Sequence, residues 1–218
     1  MEAGRLKRTP NRLAVKLSTA GERVVRSGHP WIFSKRIVKC KEGGKPGDIA
    51  VIFSQQSNTV LGIGLYDPDS PIRIKMLYTS GPATIDQAFF SEKIIQAKML
   101  RKPLLATHTN SYRLIFGEND GLPGLIADVY DTVLVIKLYT AIWLPFLQMI
   151  VPLIEKAAQT QTTVVRLNRL LEKKTITGLT DGMIWSGSLT SETVVFLEHG
   201  IRFQANVIKG HKTGYFLD

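Results

Sequence analysis

The sequence lacks the residues that several classes of protein require. Only one of its 218 residues is cysteine, Cys40. That excludes a disulfide framework and any multi-cysteine zinc or iron–sulfur centre, and it agrees with a reducing, cytoplasmic compartment. Unbroken apolar runs are also missing. The one long apolar stretch, Val133 to Ile154, is interrupted by Lys137, Pro145, Gln148 and Pro152 and bracketed by Asp131 and Glu155. It reads as a strand followed by a buried helix, not as a membrane span, which needs about 20 apolar residues in a row. The basic segment Met1 to Pro10 has no apolar region behind it, so it is not a secretory signal. There is no internal repeat and no low-complexity tract. Acidic charge is in deficit, with 18 acidic against 28 basic residues and a net charge of +10. Such a balance favours a polyanionic partner, most often nucleic acid. The plainer alternative is a solvated basic surface kept for solubility.

What is present is an ordinary globular composition, 44% hydrophobic and 21% charged, long enough to bury a core without staples. The charge is uneven. Residues 1–78 hold 14 basic and 6 acidic residues, residues 79–199 hold 11 of each, and the last nineteen hold 3 basic and 1 acidic. Two units with different tasks are expected, the first of them facing the polyanion. Residues 1–78 read as a small all-β barrel: Leu13, Val15 and Leu17 alternate with Arg12, Ala14 and Lys16, 48–53 and 60–66 are β-rich, and Ile72, Ile74 and Met76 alternate with Arg73 and Lys75. Gly62 and Gly64 lack the third glycine and following helix of a dinucleotide loop, so on a strand they mark a bulge or a close backbone approach. Residues 79–83 form the linker. A second, α+β unit follows over 84–199. Its amphipathic helix runs from Asp86 to Lys102, with Ile85, Phe89, Ile94, Ala97 and Leu100 near one face and Pro103 as its stop. Strands are expected at 112–116, 125–129, 133–138, 163–167 and 193–197, and a helix from Trp143 to Gln159.

Three patches carry candidate chemistry. Gly28-His29-Pro30-Trp31-Ile32-Phe33-Ser34-Lys35-Arg36 interleaves aromatics with cations, the combination that stacks bases and pairs phosphates in RNA. Alternation puts Trp31 and Phe33 on one face, which favours core positions for the rings. Lys35, Arg36, Arg23 and Arg26 remain as phosphate contacts. In the second patch, Phe116 to Asp128, the carboxylates of Glu118, Asp120 and Asp128 suggest a metal-dependent hydrolase. However, Asp120-Gly121 and Pro123-Gly124 are turn pairs whose carboxylates usually bond backbone amides, and a structural turn is the better reading. The third patch, Gly210-His211-Lys212-Thr213, is not a phosphate loop, because Ala205 stands where the first glycine should be and His211 is inserted.

These patches also resemble a known family. His29-Pro30-Trp31-Ile32-Phe33 with Lys35-Arg36 resembles the PUA domain that opens a family of S-adenosylmethionine-dependent methyltransferases of large-subunit ribosomal RNA. Phe116-Gly117-Glu118-Asn119-Asp120-Gly121-Leu122-Pro123-Gly124-Leu125-Ile126-Ala127-Asp128-Val129-Tyr130 looks like that family's central-domain signature. Gly210 to Asp218 looks like its lead-in to a Rossmann-like catalytic domain. Val129 stands where the family usually has arginine, so no polar role is carried to that position.

The resemblance implies cytosine-C5 methylation of ribosomal RNA, a homodimer, no membrane, and a PUA-like barrel at 1–78, a central α+β domain at 84–199 and a lead-in at 200–218 to a catalytic domain that this chain lacks. The residue chemistry of the first patch gives the RNA contacts expected at Arg23, Arg26, His29, Trp31, Lys35 and Arg36; the resemblance implies donor contacts at Lys212, Thr213 and Gly214, and no catalytic residue and no metal is expected in these residues. S-adenosylmethionine would serve the full-length enzyme, and none is expected to bind this chain alone. Cys40 matches no catalytic position of the family. The chain reads as an RNA-positioning portion, inactive alone. A free-standing RNA-binding adaptor is the alternative.

Overall fold

The computed structural model describes residues 8–173, 178–215 and 217. Residues 1–7, Phe216 and Asp218, which the readings of the two ends include, lie outside them. The chain forms two compact units, one of residues 8–86 with Ala141–Leu147 and one of Gln87–Thr140 with residues 148–218.

The first unit carries β1 (Arg12–Leu17), α1 (Thr19–Arg26), β2 (Trp31–Phe33), β3 (Ile37–Cys40), β4 (Ile49–Phe53), β5 (Val60–Tyr66) and β6 (Ile72–Tyr78). The strands form one sheet in the order β2-β6-β5-β4-β1-β3, curled into a half-barrel. β1 and β4 run parallel; the other pairs are antiparallel. The unit is therefore neither purely β nor closed as a barrel, because α1 packs on the sheet and β2 and β3 end it. The alternation of β1 sends Leu13, Val15 and Leu17 inward, where they meet Val25 of α1, Ile32, Ile52 and Ile74. Gly62 and Gly64 are close approaches. A Cβ on Gly62 would lie 2.6 Å from the Tyr78 carbonyl oxygen and one on Gly64 2.5 Å from Ile74 Cγ2, and the β5–β6 register slips between Ile63 and Gly64.

The second unit carries α2 (Gln87–Leu105), β7 (Ser111–Phe116), β8 (Leu125–Tyr130), β9 (Val133–Leu138), α3 (Leu147–Ala158), β10 (Thr162–Leu167), α4 (Arg169–Glu172), β11 (Met183–Ser186), β12 (Thr193–Glu198) and β13 (Ile201–Asn206). Five strands lie in the order β11-β10-β9-β8-β7, with β9 and β10 parallel, and β12 and β13 form a separate hairpin. Pro103 does not stop α2. It removes one hydrogen bond within the final turn while its fixed φ suits a helix, and the turn closes with Ala106 and Thr107 donating to the carbonyls of Pro103 and Leu104. The buried face of α2 is Phe90, Ile94 and Ala97, whereas Leu100 is 71% exposed, a correction to the expected stripe. The expected helix from Trp143 is also divided. Ala141–Phe146 is a 3-10 turn containing Pro145, and α3 begins only at Leu147. Ala141–Ala158 is long and apolar enough to cross a membrane by length and composition. Yet Ile142, Trp143, Phe146, Leu147, Ile150, Val151 and Ile154 are all buried in the protein, as in a core segment. Residues 200–218 contribute β13 and the buried Val207 and Leu217 to a cluster with Tyr130, Val135, Val164 and Phe196.

Candidate nucleic-acid interface

In the first unit the basic patch is built on three consecutive segments. Ser18 caps α1 by accepting the Gly21 amide at 3.2 Å, and Gly28, at φ +76°, turns the chain after the helix. Arg23 and Arg26, three residues apart on α1, are both exposed. Arg26 reaches Glu22 at 3.8 Å, a surface pair that leaves the helix strongly basic in its last turn. The exposed His29 accepts the Trp31 amide on Nδ1 at 3.1 Å, and the two rings meet edge to face at 6.0 Å. Ser34–Arg36 is a 3-10 turn that presents an exposed Lys35 and a half-buried Arg36. The Arg36 carbonyl accepts the Ser18 amide at 2.8 Å. A Cβ on Gly21 would come within 3.2 Å of Arg36 Cβ, so the missing side chain is what lets the turn close onto the start of α1.

The two rings of β2 are placed opposite to expectation. Ile32 pairs with Ile74 and is fully buried, while Trp31 is half-buried and Phe33 is 39% exposed. Trp31 and Phe33 therefore lie on the face away from the core, beside Lys35 and Arg36. Guanidinium and ammonium groups suited to phosphates and one exposed ring, Phe33, occur together here, a combination that RNA recognition uses.

The carboxylates of the second patch do not converge. Asp120 is held bidentate by Arg101 at 2.7 and 2.6 Å and accepts the Phe116 amide at 2.6 Å, the turn role expected for it. Asp128, fully buried, pairs with Arg113 through Nε at 2.9 Å and Nη2 at 3.2 Å. Asp120 and Asp128 each have their own guanidinium, which opposes sharing a cation, and among the described residues no three His, Cys, Asp or Glu side chains gather as a metal site. Burial pushes the half-buried Cys40 thiol up, which disfavours the thiolate that nucleophilic catalysis needs.

The residues near the end of the chain are fastened by groups from three strands. Thr213, 1% exposed, donates its hydroxyl to Asp128 Oδ2 at 2.6 Å and lies 3.1 Å from the Tyr130 hydroxyl, which donates to the Tyr215 carbonyl at 3.2 Å and accepts the Tyr215 amide at 3.0 Å. Burial, reinforced by the Asp128 charge, pushes the Tyr130 hydroxyl up to about 12, so it stays a neutral hydrogen-bonding group and not a base. Arg166 donates to the carbonyls of Val207 at 3.4 Å and Gly210 at 3.1 Å, and Lys137 to that of Lys212 at 2.9 Å. As held here, Thr213 does not fit a methyl-donor contact, because its hydroxyl is buried and spent on Asp128. Lys212 is exposed at φ +57°, and Gly214 sits at φ +134° against Ala205 and Asn206. Arg113, Lys137 and Arg166 were not singled out from the sequence. Their signal is a lone cation inside an apolar strand pattern.

Comparisons with known proteins agree with this division. Residues 15–79 match the model of a PUA-like domain, so the first unit carries a PUA-like domain. The chain's curated homologues are methyltransferases of large-subunit ribosomal RNA. It is 40% identical over 213 residues to a ribosomal RNA large subunit methyltransferase of Deinococcus radiodurans, covering 95% of this chain and 52% of that protein. It is 33% identical over 205 residues to ribosomal RNA large subunit methyltransferase I of Alteromonas mediterranea, covering 94% and 51%. Among solved structures, a candidate SAM-dependent methyltransferase from Streptococcus mutans shares the fold, with a TM-score of 0.77 at 16% identity over 94% of this chain and 51% of that one. The chain thus spans about half the length of the curated relatives it matches.

Proposed function

We propose that this chain is the RNA-binding and positioning portion of an S-adenosylmethionine-dependent methyltransferase of ribosomal RNA, with cytosine C5 as the target atom by family resemblance. The observation that carries this reading is the surface of α1, β2 and the Ser34–Arg36 turn. It offers exposed Arg23, Arg26 and Lys35 beside the exposed ring of Phe33 and the half-buried Trp31, on a chain whose homologues modify ribosomal RNA. Phosphate contacts of this kind fix a protein's register on RNA. The donor and the base chemistry belong, in this reading, to residues outside the 218. The spent Thr213 hydroxyl supports that assignment.

The test is a ribosomal RNA titration at several salt concentrations. Lys35→Glu with Arg36→Glu is expected to weaken binding and to lower the salt slope by about two, one per phosphate contact. An unchanged affinity and slope would remove this surface from the interface. Calorimetric titration of S-adenosylmethionine into the chain is expected to be silent. Micromolar binding would place the donor site within these residues.

A further inference from the structure

The second unit carries an aromatic surface that the first unit's patch does not account for. Phe116 pairs with Ile126 across β7 and β8, and Ile126 pairs with Lys137 across β8 and β9. Cross-strand partners share a face of the sheet, so these three side chains stand on one side, and Tyr139, two residues beyond Lys137, continues it. Further along the same face Tyr130 and Val135 are buried within the cluster that includes the β12–β13 hairpin. At the strand ends the face is open: Phe116 is 44% and Tyr139 45% exposed. The Gly124 carbonyl accepts the Tyr139 amide at 3.0 Å, which fixes the backbone of that ring at the end of β9. Each ring has a cation at its face, with Arg113 Cζ 5.0 Å from the Phe116 centroid and Lys137 Nζ 5.9 Å from that of Tyr139.

We propose that Phe116 and Tyr139 form a stacking platform for unpaired bases of single-stranded RNA, with Lys137 attracting the phosphate between them. The proposal rests on the reading that this chain binds RNA, and it adds a second contact with a different chemistry. Rings of mixed apolar and cationic surroundings suit a base, whose π-face stacks on any aromatic and whose backbone is an anion. Lys137 hydrogen-bonds only a neutral carbonyl in the described structure, so its charge is not cancelled by that bond. Burial, then Arg166 and Lys212, lower its pKa, while Asp181 and Asp128 raise it; Arg166 holds Asp181 and Arg113 holds Asp128, which leaves the Lys137 ammonium as the charge that no carboxylate bonds among the described residues. That charge argues for a polyanion over an apolar protein surface.

The experiment compares single-stranded and duplex RNA oligonucleotides of ribosomal sequence, titrated by fluorescence anisotropy into the wild-type chain and into Phe116→Leu with Tyr139→Leu. Leucine keeps apolar bulk and removes the π-face. Single-stranded affinity is expected to fall about tenfold per ring, with an unchanged salt slope and little change for duplex, whereas Tyr139→Trp with Phe116 intact, which keeps both π-faces, is expected to retain binding. Photo-crosslinking of a 5-iodouridine strand is expected to map to Phe116 or Tyr139. Equal affinity of wild type and double variant for single strands, while Lys35→Glu with Arg36→Glu still loses RNA, overturns the platform and leaves the RNA reading standing. A wild-type chain that binds neither RNA overturns both. Unchanged RNA affinity accompanied by altered self-association would assign the face to a protein contact and likewise overturns the proposal.

Discussion

Replacing Thr213 by valine removes one oxygen from the most constrained point of the second unit and leaves the shape of the side chain intact. Thr213 is 1% exposed, and its hydroxyl donates to the Asp128 carboxylate at 2.6 Å. A hydrogen bond to a charged, buried acceptor contributes about 1.5–3 kcal/mol. The substitution leaves no uncompensated charge, because Arg113 still holds Asp128 through two nitrogens. Nor does it strand the Tyr130 hydroxyl, which keeps the carbonyl and amide of Tyr215. The expected loss is therefore the single bond, about 2 kcal/mol, or roughly 4–8 °C in Tm for a chain of this size. Denaturant titration with hydrogen exchange followed by mass spectrometry reads both the size and the place of the loss. Exchange should accelerate at residues 207–215 and leave β1–β6 as in wild type, and Thr213→Ser, which keeps the hydroxyl, should retain most of the protection. A valine variant within about 0.5 kcal/mol of wild type, or one whose loosening spreads evenly through both units, would refute the reasoning that this hydroxyl fastens the segment.

Two further predictions concern the first unit. Lys75 and Asp67, 7% and 5% exposed, form a buried pair at 2.7 Å. Asp67→Leu alone should cost about 3–5 kcal/mol by stranding the ammonium, and adding Lys75→Met should recover most of it in the same urea titration; no recovery would mean the loss is packing and not charge. Burial alone would raise the carboxyl of Asp48, but the amides of Lys45 and Asn11 and the guanidinium of Arg8 outweigh it and hold it below its ordinary value. Its contribution to stability is thus complete above the unfolded pKa of about 3.9 and is lost as pH falls through the lower folded value. The stability gap between wild type and Asp48→Asn should accordingly be widest above pH 5 and narrow towards pH 3, and a gap that does not change over that range would count against the assignment.

β1 and β6 were legible from their alternation and β4 and β5 from their β-rich runs, whereas the four-residue β3, Ile37–Cys40, is too short to show a pattern. β2 was misread for a different reason. In Trp31-Ile32-Phe33 both faces carry large apolar groups, and the inward one is chosen by the pairing of Ile32 with Ile74 some forty residues away, which no local pattern contains. The eight-residue α1 was missed, although Ser18 is a good cap, because its body is polar and short. β13 was missed although Ile201, Phe203 and Ala205 alternate with Arg202, Gln204 and Asn206. At the site, the chemistry of the cations and rings was visible in the sequence but their exposure was not. Asp128 was noticed as a carboxylate, but its partner Thr213 lies 85 residues on, and such a bond becomes visible only once the chain is folded. Phe116 and Tyr139 gave no signal because an exposed ring and a core ring are the same letter.

The composition of the first unit has a consequence for the order in which the protein can be made. Its last segment is Ala141–Leu147, which enters only after β7, β8 and β9 have been laid down. The contact is close: Gly47 adopts φ +83°, and a Cβ there would lie 2.4 Å from the Ile142 carbonyl oxygen. A chain emerging from its own ribosome therefore exposes β1–β6 for some sixty residues of synthesis before the piece that completes them arrives. At about 5–20 residues per second that is a delay of several seconds, during which Asp86 is not yet the end of a finished domain.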